Sequence, residues 1–169
     1  MYHGFVIAMQ RTWKRELLLL GAALLVLILL GLAGAVRKPM TSQIPHASVV
    51  ANGHVISVEI ADTPALRTLG LSGRSGLAEN TGMLFLFPDA RQYIFWMKDM
   101  RFPIDIIWIR GTKVVAVIER AAVPPFGISD EELERFIPPE DVDRVLEIGA
   151  SMANSFGIVP GQTVEILLP

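Results

Sequence analysis

Residues Leu17 to Val36 form an apolar run of twenty residues without one charged side chain. As an α-helix rising about 1.5 Å per residue, such a run spans about 30 Å, the hydrocarbon thickness of a bilayer. The pattern therefore predicts one N-terminal transmembrane helix over 17–36. Beyond it the periodicity changes. His54 to Ala61 alternates, with Ile56, Val58 and Ile60 on one side and Val55, Ser57 and Glu59 on the other, as in a half-buried strand. Asp62-Thr63-Pro64 supplies a cap and a first-turn proline for a short helix ending near Gly70. Further strands are predicted at Gly82–Phe87, Tyr93–Met97, Ile104–Ile109, Lys113–Ile118, Arg144–Ile148 and Thr163–Leu168. Ile104–Ile109 is apolar on both faces, which predicts an interior position in the sheet.

Ser129 with Glu132 three residues later is a capping-box pattern, predicting an acidic helix to about Phe136 that Pro138-Pro139 ends. Ser151–Phe156 reads as a short helix closed by Gly157. Short strands, frequent turns and about three short helices predict a mainly β (α+β) domain: a compact β-sandwich, jelly-roll-like fold or small barrel. The chain divides into a basic leader (1–16), the apolar segment (17–36), a polar linker with two prolines (37–50) and the β-rich domain (51–169).

Charge orients these parts. Arg11, Lys14 and Arg15 precede the apolar run, while Arg37 and Lys38 follow it, which favours a cytoplasmic N-terminus and a domain outside the cytoplasm. Ala33-Gly34-Ala35 offers a signal-peptide cleavage pattern, and Met9 an alternative start. The length of the run favours a retained anchor at the cell membrane over cleavage near Ala35 and secretion; both outcomes export the domain. Residues 39–169 hold ten bases against sixteen acids, a net of −6. Nucleic acid is thereby excluded as an expected partner, since its affinity comes from Lys and Arg on phosphates. The chain has no cysteine and three histidines, none spaced for metal. No metal, cofactor or catalytic triad is expected.

Three local patterns could carry chemistry. Gly70-Leu71-Ser72-Gly73-Arg74 faintly resembles a nucleophile elbow or an anion cradle around Arg74, but a helix precedes it, and a glycine C-cap explains it better. Trp96 and Trp108 could form a sugar-stacking platform beside Lys98; ordinary core packing is the competing explanation. Asp105 lies among isoleucines, so its carboxyl must be paired, hydrogen-bonded or protonated. Lys98, Arg74 and Arg67 are the bases available to it, in a structural ion pair or in an acid–base site.

The chain resembles the bacterial and archaeal domain-of-unknown-function family 192. The resemblance rests on Ala61-Asp62-Thr63-Pro64 with Arg67, Gly70, Leu71, Gly73 and Arg74, then Gly82-Met83-Leu84-Phe85 with Phe87, then Phe95-Trp96-Met97-Lys98. It continues through Pro103-Ile104-Asp105-Ile106-Ile107 and Val145-Leu146-Glu147 to Gly157-Ile158 and Gly161, covering about 54–168. It implies an exported or membrane-anchored domain with a compact β-sandwich or jelly-roll-like fold, and no established activity. The acidic segment Ser129–Phe136 departs from common members.

The expected role is non-catalytic binding of a small ligand, peptide or cell-wall glycan. The alternatives are a hydrolase-type envelope enzyme using Asp105 with Lys98 or an Arg, and a protein-interaction module using Ala121–Glu140. The charge asymmetry around the apolar run generates a topology prediction. Protease added outside intact spheroplasts should digest residues beyond about 40 and spare an N-terminal tag. Protection of the C-terminal domain would reverse the orientation.

Overall fold

A computed structural model describes residues 44–169 of the chain. The predicted leader and transmembrane helix lie outside the described residues; among those described, no helix is long and apolar enough to cross a membrane. The described part belongs to one unit, Gln43–Pro169. Its order is β1 (His46–Ala51), β2 (His54–Ala61), α1 (Pro64–Leu69), β3 (Thr81–Arg91), β4 (Ile104–Arg110), β5 (Lys113–Ala121), β6 (Val142–Gly149), α2 (Met152–Ser155) and β7 (Glu165–Leu167).

All seven strands join one mixed sheet in the order β5-β4-β6-β3-β2-β1-β7, curled as a half-barrel. The expected two-sheet sandwich does not form. Its strands instead hydrogen-bond side by side, and both faces of the one sheet are buried. Ile56, Val58, Ile60, Leu84, Ile107, Ile109, Leu146 and Ile148 fill one face, under Ala153 and Ile158. Met83, Phe85, Ile104, Ile106, Trp108 and Val145 fill the other, under Leu71, Met97, Met100 and Phe136. Ile104–Arg110 lies between β5 and β6, buried along its length except for Arg110, as its continuous apolar run requires.

The β2–α1–β3 unit is a parallel crossover, pairing Ser57 with Thr81 and Ala61 with Phe85. Thr63 caps α1, its Oγ1 accepting the Leu66 N–H at 3.2 Å, and Pro64 opens the first turn. Residues 46–50, expected in the linker, are part of β1. The turn that pairs it with β2 is Asn52-Gly53, with φ of 49° and 80°, the left-handed pair a type I′ hairpin needs.

Two further expectations fail. Tyr93–Met97 is not a strand; it makes one isolated bridge, Phe95 to Phe136. Its alternation survives without a ladder, since Phe95 and Met97 pack inward while Ile94 and Trp96 stay half exposed. The acidic helix at Ser129–Phe136 does not form either. The capping-box contact is made, the Ser129 N–H donating to Glu132 Oε2 at 3.2 Å. Leu133 and Phe136 are drawn into the core, however, and the Phe95 bridge holds the backbone extended at Phe136. Two short helices result among the described residues in place of three.

Asp105 is fully buried on the face of Ile107 and Ile109. Its Oδ1 accepts the N–H groups of Arg120 at 2.8 Å and Ser151 at 3.0 Å, and Oδ2 accepts that of Ala153 at 2.8 Å. The pairing with Lys98, Arg74 or Arg67 is not what satisfies it. Three backbone donors do, tying β4 to the end of β5 and to the first turn of α2. Asp105→Asn would keep one oxygen and turn an amide N–H toward a backbone N–H. On a scale of about 1.5–3 kcal/mol per hydrogen bond to a charged group, Asn should cost about 2–3 kcal/mol and Leu about 5 or more. Denaturant titration measures both; a Leu variant as stable as wild type would deny these bonds any net contribution.

Candidate functional site

The carboxylate that matters for a site is Glu147, on the opposite face of the sheet. It lies in a cross-strand row: Glu59 on β2 faces Met83 on β3, which faces Glu147 on β6, which faces Ile106 on β4. The β3 and β6 backbones run close there, since a Cβ at Gly82 would collide with the Glu147 carbonyl and the Ile148 side chain. Glu147 is 5% exposed, and no side-chain hydrogen bond reaches its carboxyl among the described residues. Burial pushes its pKa from 4.5 to about 8, and the charge of Arg74 opposes only part of that rise.

Arg74 is committed elsewhere. Its two terminal nitrogens grip Glu59 Oε1 and Oε2 at 2.5 and 2.7 Å. This bidentate pair holds the Glu59 carboxyl below its usual range and raises the guanidinium. Arg74 is carried by the loop after α1, in which the N–H groups of Ser72, Gly73 and Arg74 are all bonded to backbone carbonyls. The Gly73 N–H donates to Asp99 O, the Arg74 N–H to Leu71 O, and the Ser72 hydroxyl to Lys98 O at 3.0 Å. That loop is neither a nucleophile elbow nor an anion cradle.

Above Glu147 opens a cavity of about 380 Å³. α1 and residues 70–72 form one wall, and Tyr93–Met100 the other. Phe85, Phe87, Tyr93, Phe95 and Trp96 supply its aromatic lining, and Arg67 and Lys98 also border it. A second, larger cavity of about 630 Å³ adjoins it, lined by Thr68, Trp96, Lys98 and Asp99.

The acidic segment straps the outer wall. Arg135 lies over the Trp96 ring, 3.9 Å from its centroid, and Asp130 pairs with Lys98, raising the Lys98 pKa. Arg67 is held by backbone carbonyls, its Nη1 donating to Asp62 O at 2.7 Å and Leu86 O at 2.8 Å, with its guanidinium over Phe87.

Of the six residues singled out from the sequence, the structure brings Trp96, Lys98 and Arg67 to the cavity and Arg74 close beneath it. Trp108 is 1% exposed, packs edge-on to Phe95 and donates its Nε1–H to Tyr93 O, so no Trp96–Trp108 platform exists. Asp105 does not line the cavity. Glu147 was missed as a site residue. Its signal is the one that marked Asp105: an acid set between apolar neighbours, Leu146 and Ile148.

The raised pKa fixes a pH dependence. From about pH 4.5 to 8 the folded protein keeps a proton on Glu147 that the unfolded chain has released. Stability therefore declines as pH rises through that window, by on the order of 5 kcal/mol when complete. Glu147→Gln cannot ionise. Its melting temperature should lie near that of wild type at pH 5 and well above it at pH 9. Parallel pH profiles for the two proteins would show instead that Glu147 ionises freely.

No curated protein matches the chain. Among the solved structures similar to this chain are two bacterial proteins. One is a protein from Sinorhizobium meliloti 1021 described as a candidate transcription regulator: 27% identity, 72% of this chain and 92% of that one covered, TM-score 0.62. The other is a protein of unknown function from Novosphingobium aromaticivorans DSM 12444, with 29% identity, coverage of 76% and 89%, and a TM-score of 0.61. The family model named DUF192, an uncharacterized ACR, matches residues 47–166. That match spans the sheet but for one residue at each end, and the chain belongs to the DUF192 family.

Proposed function

We propose that this domain is a non-catalytic module that binds a small ligand in the cleft over Glu147, carried on the outer side of a membrane by the apolar run 17–36. The observation that carries the binding role is the cleft itself: open, walled by aromatic side chains, and floored by a buried carboxyl with no hydrogen-bond partner among the described residues. Ligand sites combine these features, with large apolar walls for affinity and a few polar groups for orientation. Leaving such a carboxyl buried costs stability, and function is the usual reason such a cost is retained.

Catalysis by Asp105 has no support in this geometry. Asp105 is enclosed and saturated by backbone N–H groups. The Ser72 hydroxyl donates to a backbone carbonyl, and no histidine borders the cleft. The net charge of −6 over residues 39–169 opposes DNA as a partner, in contrast to the regulator description of the Sinorhizobium protein. The interaction-module reading keeps one observation: Phe126, in the Pro-rich loop, is fully exposed.

Thr68 is exposed on α1 and borders both cavities, so Thr68→Trp should fill the mouth without touching the core. Ligand-observed NMR of the full-length chain against a metabolite library should give hits that Thr68→Trp abolishes. Hits indifferent to Thr68→Trp, or none at all, would remove the cleft as the binding site.

A further inference from the structure

We propose that the cleft takes a cationic ligand, a quaternary or protonated amine whose charged head sits on the Glu147 carboxyl between the aromatic walls. This rests on the cleft being a ligand site and names the chemistry that it selects.

The charges around the cleft support it. Arg74 is spent bidentately on Glu59, and Lys98 on Asp130. Arg67 is tied to two backbone carbonyls and to the Phe87 ring. Glu147 is the carboxyl in the cleft that no side chain of the described protein hydrogen-bonds, and the charge of Arg74 offsets only part of the cost of its burial. An anionic ligand would hold that carboxyl in its protonated form, since two negative charges cannot share a desolvated site. A neutral ligand would leave that carboxyl protonated. A cation alone lets it ionise, because opposite charges attract strongly where water is scarce. Aromatic walls add to this preference, since ring faces attract cations electrostatically, most of all when both are desolvated.

The step balances as an exchange. The Glu147 carboxylic acid releases one proton to solvent as the cation arrives, and no bond to the ligand forms. With the free carboxyl titrating near pH 8, affinity should fall about tenfold for each pH unit below that value and level off above it.

Three probes of one shape but different charge test this by calorimetry on the full-length chain in non-ionic detergent: benzyltrimethylammonium, benzyl alcohol and benzoate. The quaternary cation carries no titrating proton of its own. It should bind more tightly than benzyl alcohol at pH 9, weaken about a hundredfold by pH 6, and release one proton per bound ligand near that pH. Glu147→Gln should lose both the cation preference and the pH dependence. Its own melting curve reports that it folds, and the wild-type pH profile tests the same point without a mutation. A cation affinity independent of pH, or equal in Glu147→Gln, overturns the proposal, as does failure of the cation to bind at pH 9. Tightest binding of benzoate overturns it too, and assigns the cleft's polarity to Arg67. Benzyl alcohol binding that Thr68→Trp abolishes, without cation preference, overturns the charge assignment alone and leaves the cleft a ligand site.

Discussion

A single sheet with two apolar faces has no second sheet to pack against, so the rest of the domain must serve as its cover. About 25 cal/mol is gained for each Å² of apolar surface removed from water, and both faces offer that gain. The connections are recruited accordingly. On the face of Ile107 and Ile109, α2 and the turn at Ile158 do the covering. On the face of Trp108, α1, residues 70–77 and the stretch from Tyr93 to Phe102 do it, with Phe136 reaching in from the acidic strap. Irregular cover fits less closely than a second sheet would. The cleft opens where two such covers, α1 and Tyr93–Met100, meet above β3 and β6.

The two faces treat a buried carboxylate in opposite ways. Asp105 is short and sits where β5 and α2 present backbone donors, so both of its oxygens are used. It acts as a joint between elements, three backbone N–H groups converging on its carboxyl. Glu147 stands under a gap in the cover and lines the cleft together with aromatic side chains. With no donor in place, burial raises its pKa and favours the neutral acid. Burial alone does not distinguish the two carboxyls. The partner inventory does.

How much of this was legible follows from which interactions are local. Strands with strong two-residue periodicity or unbroken apolar runs, such as His54–Ala61 and Ile104–Arg110, are visible in sequence because the sheet itself imposes the pattern. The start of α1 is visible because its cap is a neighbour in sequence. β1 had a readable sign in Asn52-Gly53, hidden behind the prolines of the preceding linker. The acidic segment could not be read correctly. Its capping box formed, yet a bridge to Phe95, 41 residues earlier, and burial of Leu133 decided its conformation. The site was half legible: Trp96, Lys98 and Arg67 were found by residue type, whereas the covering of Trp108 and the gap above Glu147 are set by loop packing that no local pattern encodes.

What keeps Glu147 open is competition for one guanidinium. Glu59 and Glu147 flank Met83 in the same row of the sheet, and Arg74 lies close enough for its charge to act on both. Shared between them, it would leave each carboxylate a single hydrogen bond. Given wholly to Glu59, it makes two parallel bonds in the fork geometry that guanidinium and carboxylate prefer. The Gly73 N–H to Asp99 O bond holds the loop carrying Arg74 on that side. Glu59 thus acts at a distance on the cleft: by holding Arg74 it leaves Glu147 without a resident counter-ion. An uncharged side chain at position 59 would remove that fork and leave Glu147 as the carboxyl on which the charge of Arg74 acts.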